Sequence, residues 1–311
     1  MLNYLFCLDQ NYNKQLLTTL NSLNVNSTSN FNVYIIHDDP ESLYSVIEKN
    51  NIRFDKINKF QVYKYTSNHY AFPNLENNHI SEATYYRFFI EDYIKEDVDY
   101  LIYLDCDILC LNDPSDILKE TIRRLKMSNY MIAASTEYIH TEDTSELFNR
   151  LDLSSTRYFN AGVVVINYQV WKSENLKQKL LSTMEQIHEK VNFWDQDILN
   201  HVFDGNYLTI SNNLNYFAPV YKENIKSSLR SVIFLHFAGS TKPWSIQGAL
   251  LSASSIFHSN YSFIFPNNYL IVTNYKKRAI FDLIKNLLNL KILKLESPID
   301  FIKQTLRSLK A

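Results

Sequence analysis

Through residues 1–110 of this 311-residue chain, short apolar runs alternate with segments of helical period, and few architectures accept that rhythm. Leu5 to Leu8, Val33 to His37 and Leu101 to Asp105 read as strands, with Gln61 to Tyr65 a weaker one. Lys14 to Leu23, Glu41 to Glu48 and Glu82 to Tyr93 read as the helices between them. The expected product is an α/β fold whose βαβ units build a mostly parallel sheet. Such sheets place ligands beyond the carboxyl ends of their strands. Two polar clusters fall at such ends: Asp9 after the first strand, and Asp105 with Asp107 after the run YLIYL.

Further along, Met131 to Ala134, Gly162 to Ile166 and Ile233 to Phe237 read as strands, and Val170 to Glu189 and Asp195 to Phe203 as helices. No glycine-serine linker or internal repeat divides residues 1–265, which are expected to form one domain, with residues 266–311 as an appended tail. Only four glycines occur, and none builds a phosphate-binding loop, so dinucleotide and P-loop folds find no support. The net charge of -2 argues against a general nucleic-acid binder. Cys7, Cys106 and Cys110 lack the fourth cysteine of a tetrahedral metal site and read as buried, reduced thiols. The N-terminus reads as a first strand with no leader-like features, and no run of about eighteen apolar residues occurs, so a cytoplasmic protein is expected.

The strongest local signal is YLDCDILCLNDP at 103–114. A D-x-D directly after an apolar strand lets the chain turn both carboxylates toward one divalent cation, and carboxylate oxygens suit Mg²⁺ or Mn²⁺. Solvated or capping aspartates are the plain alternative. His236, in FLHFAGSTKPW at 234–244, again follows an apolar run, and its ring nitrogen would make a mixed donor set that favours Mn²⁺. Gly239 and Lys242 follow within six residues. A glycine permits close backbone approach to phosphate and a lysine supplies a point charge beside it. Together these pieces describe a diphosphate held by metal and lysine.

Six segments in order then carry a resemblance over roughly residues 3–245: LDQNY at 8–12, SEATYYRFFI at 81–90, YLDCDILCLNDPSDI at 103–117, RYFNAGVVVINYQVWK at 157–172, NFWDQDILNHVF at 192–203 and HFAGSTKPW at 236–244. The sequence resembles the retaining nucleotide-sugar glycosyltransferases of family 8. That resemblance implies a GT-A fold, a single αβα domain with a mixed sheet, and transfer of a hexose from a UDP-sugar to a glycan, glycolipid or glycoprotein hydroxyl. It implies metal ligation by Asp105, Asp107 and His236, with Cys106 inside the motif. Asp9, Asn11 and Tyr12 match the uracil and ribose segment, and Gly239 with Lys242 the diphosphate contacts. Arg87 matches the arginine near diphosphate and sugar. Asn160, Ala161 and Gly162 match the sugar side, and Asp195 with Gln196 the pair beside the transferred sugar.

Each of these residues also has an ordinary reading. Arg87 could be a buried partner of a carboxylate, Asn160 could shape a turn into GVVVI, and Asp195 or Asp197 could cap the helix that follows. Trp194, beside Asp195, reads first as core and second as a stacking surface for an acceptor sugar. Glucose is taken ahead of galactose as the donor sugar. A UDP-sugar hydrolase and a catalytically weak, nucleotide-sugar-binding partner subunit stand as alternatives, and a homodimer stays open.

The tail has its own composition. Residues 271–311 carry nine basic and three acidic side chains, a net +6 against -8 in the rest. Ile280, Ile284, Leu287 and Leu288 recur at helical spacing, as do Ile302, Leu306 and Leu309, so two basic amphipathic helices are expected. They could lie in an anionic membrane interface, pack on the main domain, or meet a protein partner.

Overall fold

The computed structural model describes residues 1–66, 70–73, 81–137, 144–219, 225–273 and 275–310. Among these residues the strands are β1 (Leu2–Leu8), β2 (Phe31–His37), β3 (Ile57–Lys64), β4 (Tyr100–Leu104), β5 (Ile108–Cys110), β6 (Ile132–Thr136), β7 (Phe159–Asn167), β8 (Leu208–Thr209), β9 (Tyr216–Phe217) and β10 (Phe234–His236). The helices are α1 (Asn13–Asn26), α2 (Pro40–Lys49), α3 (Ile90–Tyr93), α4 (Ser115–Lys126), α5 (Thr144–Arg150), α6 (Tyr168–Ser173), α7 (Leu176–Gln186), α8 (Trp194–Phe203), α9 (Ile225–Ser228), α10 (Ser254–Ile264), α11 (Lys276–Leu288) and α12 (Pro298–Lys310).

A seven-stranded sheet runs in the order β3-β2-β1-β4-β7-β6-β8, and a small sheet in the order β5-β10-β9. The large sheet is parallel except for β7, which is antiparallel to both β4 and β6. Both faces of β1 and β2 are covered, which is why these strands read as continuous apolar runs. Successive side chains alternate between two cores: Tyr4, Phe6 and Leu8 enter the one that α1, α4 and α10 cover, and Leu5 and Cys7 the one that α7 and α8 cover. This αβα layering is a GT-A arrangement of mixed α/β structure. All three cysteines are free thiols buried within it.

Three local expectations change. Glu82 to Tyr93 is not one α-helix: Glu82–Phe89 winds as a 3-10 helix and only Ile90–Tyr93 is α-helical. Side chains three apart eclipse in a 3-10 helix, so Thr84 and Arg87 share one face. The helix expected over Val170 to Glu189 breaks at Asn175, whose φ of 53° is left-handed, into α6 and α7, with a short 3-10 turn at His188–Lys190. Asn160 does not turn into a strand but lies within β7, opposite the register shift at Ala134 and Ser135 of β6.

The tail forms two helices, but its stripes divide differently from their spacing. Ala279, Leu283, Ile292 and Phe301 bury against Ile246, Ala249, Tyr269 and Ile271 in a third core. Fully burying one such large side chain contributes about 1.5–3 kcal/mol. Ile302 and Leu309 pack at its edge, whereas Ile280, Ile284, Leu287, Leu288 and Leu306 face outward.

Candidate active site

β4 ends at Leu104 and β5 begins at Ile108, so Asp105, Cys106 and Asp107 form the turn that carries the chain from the large sheet to the small one. β10 pairs antiparallel with β5, setting His236 opposite Ile108, and the Phe237 N–H donates to the Asp107 carbonyl at 3.0 Å. A register of three residue pairs thereby brings His236 beside a motif well over a hundred positions earlier. One ligand atom from each of Asp105, Asp107 and His236 lies within 4.8 Å of the others. The Cys106 thiol turns into the first core, where burial pushes its pKa well above the ordinary value, and it stands outside the cluster of three ligand groups.

The histidine tautomer follows from fixed donors. The Gly162 N–H donates to Asn160 Oδ1 at 3.0 Å, and Asn215 Nδ2 donates to the same oxygen at 2.9 Å. Asn215 Oδ1 therefore faces His236 Nδ1 at 2.8 Å as an acceptor, and Nδ1 carries the proton. His236 Nε2 then points its lone pair toward Asp107 Oδ1 at 3.2 Å and Asp105 Oδ2 at 3.8 Å. Asp107 Oδ1 is itself buried without a hydrogen-bond partner. Two carboxylates facing an imidazole nitrogen require a shared cation, either a proton on Nε2 or a metal ion. The donor set fits a divalent ion, with Asn215 as the outer partner that orients the imidazole.

Lys242 bonds the other Asp107 oxygen and donates to the Phe237 carbonyl at 3.0 Å. Burial alone would raise the Asp107 carboxyl, but Lys242 and then His236 outweigh it and hold the group well below the usual carboxylate range. Asp107 is therefore charged at any working pH.

The eclipsed face of the 3-10 helix supplies the next layer. Arg87 is buried, with Nε 2.9 Å from Asp195 Oδ2, Nη2 3.1 Å from Asp105 Oδ1, and Nη1 donating to the Ala161 carbonyl at 2.7 Å. Its guanidinium carbon lies 3.5 Å from the centre of the Tyr103 ring, and the Tyr103 hydroxyl donates to Asp105 at 2.8 Å. Thr84 donates to the other Asp195 oxygen. Burial raises Asp195 to about 6 despite Arg87, whereas Arg87, surrounded by Asp195, Tyr103 and Asp105, stays charged.

α8 opens on Trp194, whose φ of 48° is strained for a bulky residue. That start places Asp195 and Gln196 in its first turn, while buried Asp197 accepts the backbone N–H groups of Asn192 and Phe193 at 2.8 and 2.9 Å. Gln196 is fully engaged. Its Oε1 accepts from the Ala161 N–H at 3.0 Å and from Asn160 at 3.2 Å, and its Nε2 donates to Glu137 at 3.1 Å and to the Tyr158 hydroxyl at 3.2 Å.

Two adjoining cavities open over these groups. The smaller, about 120 Å³, is lined by Asp9, Tyr12, Tyr103, Asp105, Cys106, Asp107 and Lys242. The larger, about 380 Å³, is lined by Arg87, Glu137, Asn160, Ala161, Gly162, Trp194, Asp195, Gln196, His236 and Gly239. Asn11 is the expected site residue that lines neither; it borders a third cavity between α1 and α12. Its N–H instead bonds the Asp9 carboxylate at 2.8 Å, capping the 3-10 turn Gln10–Tyr12.

Residues 3–248 match the family model for glycosyl transferase family 8. The chain belongs to that family. This family 8 glycosyltransferase is 27% identical over 248 residues to a putative glycosyltransferase of Haemophilus influenzae, covering 78% of this chain and 73% of the relative. It is 27% identical over 173 residues to a lipopolysaccharide 1,3-galactosyltransferase of Salmonella typhimurium, covering 54% of this chain and 50% of that relative. Its match to glycosyltransferase GlyA of Streptococcus pneumoniae spans 31% of that longer protein. Among solved structures it superimposes on the galactosyltransferase LgtC with a TM-score of 0.70 at 21% identity, over 85% of this chain and 96% of LgtC, a likeness of fold.

Sequence reasoning about this family 8 glycosyltransferase misses Tyr103, Glu137 and Asn215. Glu137 carried a legible signal, since it directly follows β6, at whose carboxyl end ligand groups belong. Burial raises its carboxyl above the ordinary range, against the pull of Asn160 and Gln196. Asn215 carried none, because its role exists only through Asn160 and His236.

The glycines also divide. A Cβ on Gly162 would stand 2.4 Å from His236 Cε1 and 2.9 Å from Asp105 Oδ2. A Cβ on Gly239 meets nothing within 4 Å, so that residue is needed for its φ of +83° and not for room beside its backbone. Gly162→Ala is therefore expected to weaken Mn²⁺ affinity about a hundredfold by displacing two candidate ligands, whereas Gly239→Ala costs about 1 kcal/mol of stability. Isothermal titration with Mn²⁺, paired with urea unfolding, checks both.

Proposed function

We propose that this family 8 glycosyltransferase moves a hexose from a UDP-sugar to a hydroxyl of a glycan, glycolipid or glycoprotein, with retention of anomeric configuration. The observation that carries the reading is the cluster of Asp105, Asp107 and His236 beside Lys242, at the mouth of a cavity that Asp195, Gln196 and Asn160 line. Mn²⁺, or Mg²⁺, held by Asp105, Asp107 and His236 would supply positive charge for the departing diphosphate. Lys242, on the Asp107 carboxylate, adds positive charge beside the diphosphate, whose oxygen takes up negative charge as its bond to the sugar breaks. Asp9 and Tyr12 would hold the nucleoside in the smaller cavity.

Retention ordinarily invites a carboxylate nucleophile and a covalent intermediate. The hydrogen bonds argue otherwise for this chain: the Gln196 oxygen is turned onto the Ala161 N–H, and Asp195 is engaged by Arg87 and Thr84. Attack by the acceptor hydroxyl on the face that UDP leaves fits better. The hydroxyl proton passes to the departing phosphate oxygen, and Asp195 orients the reacting sugar.

Relatives named lipopolysaccharide 1,3-galactosyltransferase and lipopolysaccharide 1,2-glucosyltransferase favour galactose or glucose as donor sugar and a lipopolysaccharide glycan as acceptor. We place the catalytic unit in residues 1–265 and the protein at the cytoplasmic face of a membrane, with residues 266–311 as its contact. A mass-spectrometric panel of UDP-glucose, UDP-galactose and UDP-N-acetylglucosamine with Mn²⁺, each with and without sugar acceptors, tests the reaction. UDP release coupled to a hexose gain on one acceptor is the expected result. UDP release without any acceptor gain would point to a hydrolase, and silence from folded, Mn²⁺-binding protein would overturn the transferase reading for these donors.

A further inference from the structure

α11 is apolar on two faces. At about 3.6 residues per turn, Ala279, Leu283 and Asn286 form the face that packs into the third core. Ile280, Phe281, Ile284, Leu287 and Leu288 form a second stripe, between 38% and 78% exposed. Ten of the seventeen exposed large apolar side chains among the described residues lie within 275–306. Single exposed leucines need no explanation, but a contiguous stripe of this kind marks a contact surface.

Charge selects the occupant. All nine basic side chains of the tail are exposed, among them Arg278 and Lys285 beside the stripe and Lys291 and Lys294 just after it. A second copy of the chain would set one +6 tail against another. A surface of acyl chains beneath anionic headgroups answers both features at once: the apolar stripe enters the headgroup boundary while the lysines meet lipid phosphate. Among the described residues no helix is long and apolar enough to cross a membrane, so the contact is in-plane.

We propose that the outward face of α11, continued by Leu290 and Leu293, is the surface on which this chain docks to a bilayer carrying anionic lipid. The placement relative to the active site is specific. Tyr275 and Arg278, in and just before the first turn of α11, line a groove of about 310 Å³ whose other wall holds Tyr12, Lys242 and Trp244. Docking through α11 therefore sets the mouth of the donor site beside the lipid–water interface. On the transferase reading, the acceptor hydroxyl is met at headgroup level.

The test is vesicle flotation of the full chain with phosphatidylcholine alone and with phosphatidylcholine mixed with phosphatidylglycerol. The chain floats with the anionic vesicles only, and raised salt weakens the binding. Phe281→Glu with Leu288→Glu, both at exposed positions, lowers partitioning about a hundredfold and leaves UDP release in vesicle-free buffer unchanged. Equal recovery with neutral vesicles, or undiminished flotation of the double variant, overturns the proposal. So does a wild-type dimer in sedimentation velocity that the same substitutions convert to monomer, since the stripe would then be a subunit interface. Because flotation needs no turnover, its outcome is independent of whether the transferase reading holds.

Discussion

Asp107→Ala is expected to lower UDP-sugar turnover by about a thousandfold and to abolish its response to added Mn²⁺. Asp107 is the point where Lys242, on Oδ2, meets the cation that the bare Oδ1 and the His236 Nε2 lone pair call for. Removing the carboxylate leaves the imidazole and the ammonium facing each other with no anion between them. Asp107→Asn keeps the shape and the Lys242 contact but loses the charge, so it should also be severely impaired. The measurement is UDP release across a Mn²⁺ titration, with circular dichroism to show that both variants fold. Turnover of Asp107→Asn within tenfold of wild type would remove Asp107 from the cation site.

Arg87→Met should be the most destabilising substitution in the site, at about 3–5 kcal/mol, because it strands buried charge. Arg87 pairs Asp195, touches Asp105 and satisfies the Ala161 carbonyl, and methionine replaces none of these. Asp195 has an ordinary pKa of 3.8 and is already raised to about 6 by burial, with Arg87 opposing the rise. A group whose pKa is raised by folding contributes most below its unfolded value and loses that contribution as pH climbs through its folded value. Without Arg87 the rise is larger, so the deficit of the variant is level from about pH 4 to about pH 6, where the carboxyl is protonated in both folded proteins, and widens above that toward about pH 8. Urea unfolding across that window reads the trend. Adding Asp195→Asn to Arg87→Met should restore part of the loss, the mark of a coupled pair. A deficit independent of pH would show that Asp195 does not carry it.

What could be read from the sequence follows the range of the forces involved. β1, β2 and β4 were legible because both of their faces are covered, which leaves continuous apolar runs. Asp105, Asp107 and His236 were legible because each lies at a strand end. The 3-10 helix at Glu82–Phe89 was not: over eight residues a period of about three and one of about 3.6 look alike. Packing decides between them, and Arg87 reaching Asp195 depends on the outcome. The turn offered as the ordinary reading of Asn160 rests on local propensity, yet Asn215 and Gly162 hold the residue within β7. In the tail, composition announced two basic helices but not their orientation. α11 carries apolar side chains on two faces, and the smaller pair, Ala279 and Leu283, fits the core.

The turn from β4 to β5 has a further consequence. Asp105 ends the large sheet, while Asp107 and His236 belong to the small one, which has only three residue pairs between β5 and β10. An ion gripped by all three would act as a clasp, fastening the edge of the small sheet to the end of the large one. Chelation would then remove that tie and leave the two sheets joined by the apolar packing of β5 and β10 in the first core and by the Lys242 contact. In such an arrangement the ingredient needed for chemistry also sets how firmly one wall of the reaction chamber is closed.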